Sequence, residues 1–221
     1  MNLSEQAWNQ TADVYQAIIS HPFNKELMNG TLEHKIFRFY IEQDQLFLKS
    51  FARSLGLIAA RAENSEHIAH FLKFAGNTIA AEQTIIAKYI GEEVKAKRDI
   101  APACLSLKSF LLQACALEPV EVAVAAVLPC FWLYLKVGQE IYKHANSSNP
   151  FFEWIKNYAS EQFALDVGIV ITIFDELAEN ALPHVKDKML EAFYQSSVLE
   201  YHFWNDAYEL RVYDVLLTMR Y

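Results

Sequence analysis

Only six glycines and six prolines interrupt these 221 residues, and that scarcity constrains the fold more than anything else in the sequence. A many-stranded sandwich or barrel turns about every ten residues and draws on Gly and Pro to do so. Sustained period-two alternation appears nowhere, whereas apolar residues recur at intervals of three and four throughout. The pattern predicts an all-α bundle of seven or eight helices. With 53% hydrophobic residues, several of these are too apolar to lie on a surface alone. Composition is even from end to end, without repeat or linker, so residues 1–221 read as one domain, long enough to bury roughly 70% of its unfolded surface.

Caps and breakers place the helices. Ser4 caps a first one reaching about Ile19. A short helix, Asn24 to Met28, stops at Gly30. Thr31 caps a long one through about Ala62. Ser65 opens another, with Ile68, Phe71, Leu72, Ile79, Ile85, Ile86 and Tyr89 as its apolar face, ending near Gly91, and a charged linker runs from Glu92 to Asp99. Further helices follow over about Ala103 to Ala116, Pro119 to Ala145, Pro150 to Asn180 with a break near Glu161, and Pro183 to Leu210. Pro119, Pro150 and Pro183 each suit a first helical turn.

Charge excludes one large class of partners. Nineteen Lys and Arg against 27 Asp and Glu leave a formal charge of −8, without the basic face that nucleic acid requires. The start, MNLSEQAWNQ, lacks the basic and then apolar pattern of a secretory signal. The longest uncharged apolar run, Val122 to Leu135, has 14 residues, short of the roughly 20 that span a bilayer. No membrane association is expected, and the chain reads as soluble and cytoplasmic. Three cysteines, Cys104, Cys115 and Cys130, show no CxxC spacing and are expected as reduced thiols.

Chemistry is sought where a reactive group interrupts an apolar stripe, because burial there needs an explanation beyond packing. Asp44 lies on the stripe Phe37, Tyr40, Ile41, Phe47, Leu48, Phe51, Leu55. Cys130 lies on Ala123, Val127, Tyr134, Val137, Ile141, directly after Pro129, whose missing N–H is expected to splay the helix there. Glu200 lies on Met189, Phe193, Ser196, Trp204, Ala207. Each has a structural reading: a carboxylate satisfied by a neighbouring helix, an inert small thiol, a carboxyl held by a tyrosine. Each also has a chemical one. A thiol and two carboxyls on separate helices, with Tyr134 and Tyr158, would furnish a nucleophile, a general acid and a recognition carboxylate for a flat, amine-bearing ring. No Glu-x-x-His pair supports a di-iron site, and Glu66, His67 and His70 lack the remaining ligands, so no metal is expected.

Five ordered segments, HPFNKELMNGTL, QDQLFLKSFA, LPCFWLYLKVG, FDELAEN and LEYHFWNDAY, closely resemble the TenA family, the thiaminase II or aminopyrimidine aminohydrolase group. The resemblance implies a heme-oxygenase-like fold and a homotetramer. It implies hydrolysis of aminomethyl-aminopyrimidine to hydroxymethyl-aminopyrimidine in thiamin salvage, with thiamin itself as a further substrate and no cofactor. Matched by motif, Cys130 is the nucleophile that adds to the ring, Glu200 the acid/base at a ring nitrogen, and Asp44 the carboxylate for the ring amino group. Tyr158 is a ring-binding tyrosine, and Phe47 and Tyr134 are lining positions. Cys130 places the chain in the thiol branch of the family, apart from the branch with glutamate there. Two departures, Leu107 for a tyrosine and Ile86 for a histidine, bear on the pKa of Glu200 and on the shape that discriminates substrates. Two other readings compete: a metal- or quinone-linked oxidase or oxygenase of the same fold, and a non-catalytic pyrimidine-binding regulator.

Overall fold

The computed structural model describes residues 2–85 and 99–213. Among these, ten helices and no strands occur: α1 (Leu3–Gln10), α2 (Ala12–Ser20), α3 (Pro22–Asn29), α4 (His34–Arg61), α5 (Ser65–Ile85), α6 (Pro102–Leu117), α7 (Val120–His144), α8 (Phe152–Tyr158), α9 (Glu161–Asn180) and α10 (Pro183–Tyr208). The expected all-α class holds. The expected first helix is in fact two. Thr11 sits between them at φ −107°, ψ 12°, and its hydroxyl donates to the carbonyls of Ala7 and Trp8, a local alternative to the helical ladder. Ser4 does not cap. Its N–H and hydroxyl both donate to the Asp175 carboxylate at 2.9 and 2.6 Å, which ties α1 to α9.

Other boundaries follow local chemistry. Gly30 ends α3 in the left-handed region at φ 72°, and the Asn149 amide donates to the carbonyls of Leu27 and Met28, closing orphan acceptors of that last turn. α4 begins after Glu33, not at Thr31. The Asn64 side chain accepts the Glu66 and His67 N–H groups at the start of α5. Pro183 takes the first helical position, whereas Pro119 is the residue before α7 and Pro150 precedes α8 by two. The break expected near Glu161 lies at Ala159–Ser160, with the Ser160 hydroxyl accepting from Phe163 N–H. Ile86, Tyr89 and the linker from Glu92 lie outside the described residues, apart from its last residue, Asp99.

At the centre stands α7, packed against α3, α4, α6, α8, α9 and α10. It is long and apolar enough to cross a membrane, with mean hydropathy 1.8 over its most apolar stretch, yet 78% of that stretch is buried within the protein. It is a core helix. It also runs unbroken through Pro129, so the expected splay does not interrupt the helix. α4 faces it from one side and is covered by α5 and α6. Arg61, ending α4, donates to the carbonyls of Cys115 and Glu118 at 2.6 Å each and so caps α6. The predicted apolar face of α5 is narrower than expected. Phe71 and Phe74 are buried, whereas Leu72 is 57% and Ile79 38% exposed, because α5 is an outer helix that presents one stripe to α4.

Candidate active site

The stripes of α4, α7 and α10 that carry Asp44, Cys130 and Glu200 all face the interior. α4 and α7 open onto one cavity of about 160 Å³, lined by Asp44, Phe47 and Phe51 from α4, Cys130, Phe131 and Tyr134 from α7, and Tyr158 from α8. That is near the roughly 150 Å³ of an apolar cavity that admits benzene. Ring walls shape it: Phe47 stacks on Phe51 at 5.3 Å, and Tyr134 lies 5.2 Å from Tyr158 and 4.9 Å from Trp204. Gly138 fixes the approach of Tyr158, since a Cβ there would stand 2.7 Å from the Tyr158 Cβ and 2.9 Å from its backbone carbon. A side chain at that position would push the end of α8 off α7.

Five of the six expected site residues therefore line one chamber. The sixth, Glu200, lies one layer behind the wall, 1% exposed, beside the Cys130 thiol and the Tyr134 hydroxyl. Neither carboxyl oxygen of Glu200 has a hydrogen-bond partner of normal geometry, nor does Asp44 Oδ2. A buried carboxyl is ordinarily satisfied, so three open acceptor atoms around one chamber mark a place built for something other than packing. Burial pushes Glu200 up to about 8, helped by the negative charge of Asp44 and opposed by Cys130 and Tyr134. Burial alone pushes Asp44 up to about 7. Both groups thus exchange protons near neutral pH. Burial and the adjacent Glu200 hold the Cys130 thiol well above its ordinary range, so it keeps its proton at neutral pH.

The mouth was not legible in the sequence. Asn77, Thr78 and Ala81 from α5, Asn157 from α8, and Phe163 and Asp166 from α9 also line the cavity, together with Leu48 and Phe74. Asp166 accepts from Lys73 at 3.3 Å and Gln162 at 3.2 Å, clasping α5 to α9. Partly exposed polar residues of this kind carry no periodic signal. Behind the site, Tyr40 donates to the Tyr134 hydroxyl at 3.1 Å; its place on the Asp44 stripe was the available clue. Leu107 is fully buried but does not line the cavity, and Ile86 lies outside the described residues. His67 pairs with Glu176 at 2.9 Å and His70 stacks on Phe74, so the Glu66–His67–His70 group does not converge. All three cysteines are free and buried.

Fold and site together define a helical-bundle protein with a ring-sized, thiol-and-carboxyl pocket of the heme oxygenase-like class. Residues 8–210 match the TENA/THI-4/PQQC family, and the chain belongs to it. It is 32% identical over 214 residues to the aminopyrimidine aminohydrolase of Bacillus subtilis, covering 94% of this chain and 90% of that one. It is 31% identical to the aminopyrimidine aminohydrolase of Helicobacter pylori, covering 95% and 100%. Among solved structures it is similar to a TenA homologue from P. horikoshii, with TM-score 0.83 at 24% identity over 95% and 99% of the two chains. A Shewanella denitrificans domain described as having a heme oxygenase-like fold superposes with TM-score 0.75 at 15% identity over 99% and 96%.

Proposed function

We propose that this protein is an aminopyrimidine aminohydrolase of thiamin salvage that uses Cys130 as its nucleophile. The observation that carries the reading is the single chamber in which a thiol and a carboxyl face a space fit for one six-membered ring, with a second carboxyl directly behind the thiol. Near neutral pH the Asp44 carboxyl offers both an acceptor and a donor, which matches an amino group beside a ring nitrogen. Phe47 and Tyr158 hold the ring faces, and Tyr134 steadies Glu200.

Addition of Cys130 Sγ to the ring carbon next to the aminomethyl-bearing one forms a C–S bond. The thiol proton passes to one oxygen of Glu200 while the other oxygen gives its proton to a ring nitrogen, so the carboxyl ends as it began. The ring N–H proton then passes through the Glu200 carboxyl, one oxygen taking it as the other gives its own to the amine nitrogen, and the ring electrons expel that nitrogen as ammonia, leaving an exocyclic methylene. Water adds hydroxide there and a proton to the ring nitrogen. Loss of the thiol, with that proton, restores the aromatic ring. One C–N bond is exchanged for one C–O bond and nothing is oxidised. No cofactor enters.

The test is ammonia release from aminomethyl-aminopyrimidine, set beside thiazole release from thiamin. Cys130→Ala and Glu200→Gln are expected to lower turnover by at least about 100-fold while circular dichroism stays unchanged; full activity in either would refute the reading. The same proposal holds the working form to be a cytoplasmic homotetramer. Leu72, Leu117, Leu165 and Leu182, each more than half exposed, supply apolar surface for such contacts, and light scattering of the purified protein tests the assembly.

A further inference from the structure

The α10 stripe that carries Glu200 also carries Ser196 one turn earlier, fully buried. Helical serines and threonines ordinarily give their hydrogen to the carbonyl four residues back. Their neighbours here do so: Ser197 donates to Phe193 at 2.8 Å, Ser54 to Ser50 at 3.1 Å and Thr78 to Phe74 at 2.8 Å. Ser196 does not. Among the described residues its hydroxyl is the one buried side-chain hydroxyl without a hydrogen-bond partner. An unmade bond at such a place is unfavourable unless some step of the working cycle makes it.

Ser196 adjoins the Cys130 sulfur closely enough to bear on its titration, yet its hydroxyl makes no hydrogen bond of normal geometry to it. Glu200 from α10 and Cys115 from α6 adjoin that sulfur, while Asp44 from α4, Tyr134 from α7 itself, Tyr158 from α8 and Asp166 from α9, the last paired with Lys73 of α5, line the cavity it opens on. The two adjoining titratable groups are an acid and a thiol, and neither carries a positive charge. Glu200 and Cys115 oppose a negative sulfur, and the Ser196 hydroxyl is the side chain that favours one. A hydrogen bond to a charged acceptor is about twice as strong as one to a neutral acceptor, so this donor acts chiefly when the sulfur gains charge. That is the differential stabilisation a reaction needs.

We propose that Ser196 is a positioning residue that donates its hydroxyl hydrogen to Cys130 Sγ as the thiol proton departs to Glu200, turning the sulfur toward the cavity. The hydrogen stays on Ser196 Oγ throughout. The proposal rests on Cys130 being the nucleophile, but its test does not rest on the substrate.

The test is alkylation of Cys130 by iodoacetamide, located by mass spectrometry and followed from pH 6 to 10. Ser196→Ala is expected to move the profile to higher pH and to slow alkylation at pH 8 by about tenfold. Turnover should fall with KM within twofold of the parent. Ser196→Thr and Ser196→Val, near-equal in volume and differing in the hydroxyl, remove the packing effect: the threonine variant should keep the parent profile and the valine variant lose it. Identical profiles for these two, or an unshifted profile in folded Ser196→Ala, would overturn the assignment. A parent enzyme that releases no ammonia from the aminopyrimidine would overturn the substrate reading instead, while the alkylation profiles still decide for or against Ser196.

Discussion

Asp44 and Glu200 show how far one residue's surroundings reset its chemistry. Both are carboxyls that burial pushes up, to about 7 and about 8, and the charge of Asp44 adds to the shift at Glu200. Between the ordinary carboxyl range near pH 4 and these raised values, the folded protein binds more protons than the unfolded chain, and stability falls as pH rises. Their contribution is complete below about pH 4 and is lost through about pH 7 to 8. Glu200→Gln is therefore expected to be as stable as the parent at pH 4, and more stable by about 1–3 kcal/mol at pH 9. Urea unfolding at the two pH values measures this, and equal stabilities at pH 9 would contradict the burial described for Glu200. On the proposed mechanism, the chemistry of these carboxyls is held against stability, as expected where an acid interrupts an aromatic stripe.

At the scale of elements, the site depends on how closely helices approach. Gly138 lets the end of α8 touch α7, so Gly138→Ala is expected to displace Tyr158, raise KM several-fold and destabilise the protein by about 1–3 kcal/mol. Steady-state kinetics and urea midpoints check both effects, and unchanged KM would separate Tyr158 from ring binding. Helical periodicity revealed where α4, α7 and α10 turn their reactive residues, because a stripe of 3.6-residue period fixes direction whatever the tertiary contacts. It did not reveal the break at Thr11, where the backbone leaves the helical range at φ −107°, ψ 12°, nor the docking of Ser4 on Asp175, since a partner 171 residues away leaves no local trace. The exposure of Leu72 and Ile79 was illegible for the same reason: composition names the apolar face of α5 but not which part of it finds a neighbour. Ser196 and Tyr40 were visible on their stripes, but their hydrogen-bonding states are properties of the packed molecule.

For the molecule as a whole, the buried apolar residues of all ten helices form one cluster. One cooperative unfolding transition is the expected consequence. Trp8, Trp132, Trp154 and Trp204 report from α1, α7, α8 and α10, so their fluorescence and the helical circular dichroism should share one urea midpoint. Separate midpoints would divide the chain into more than one folding unit. The burial of α7 has a further consequence for synthesis. Its oily rod leaves the ribosome ahead of α8, α9 and α10, three of the helices that cover it. At about 5–20 residues per second, translation of the stretch from His144 to Tyr208 takes on the order of 3–13 s. During that interval the nascent polypeptide displays a segment as greasy as a bilayer anchor, the kind of transient surface that invites aggregation until the later helices arrive to cover it.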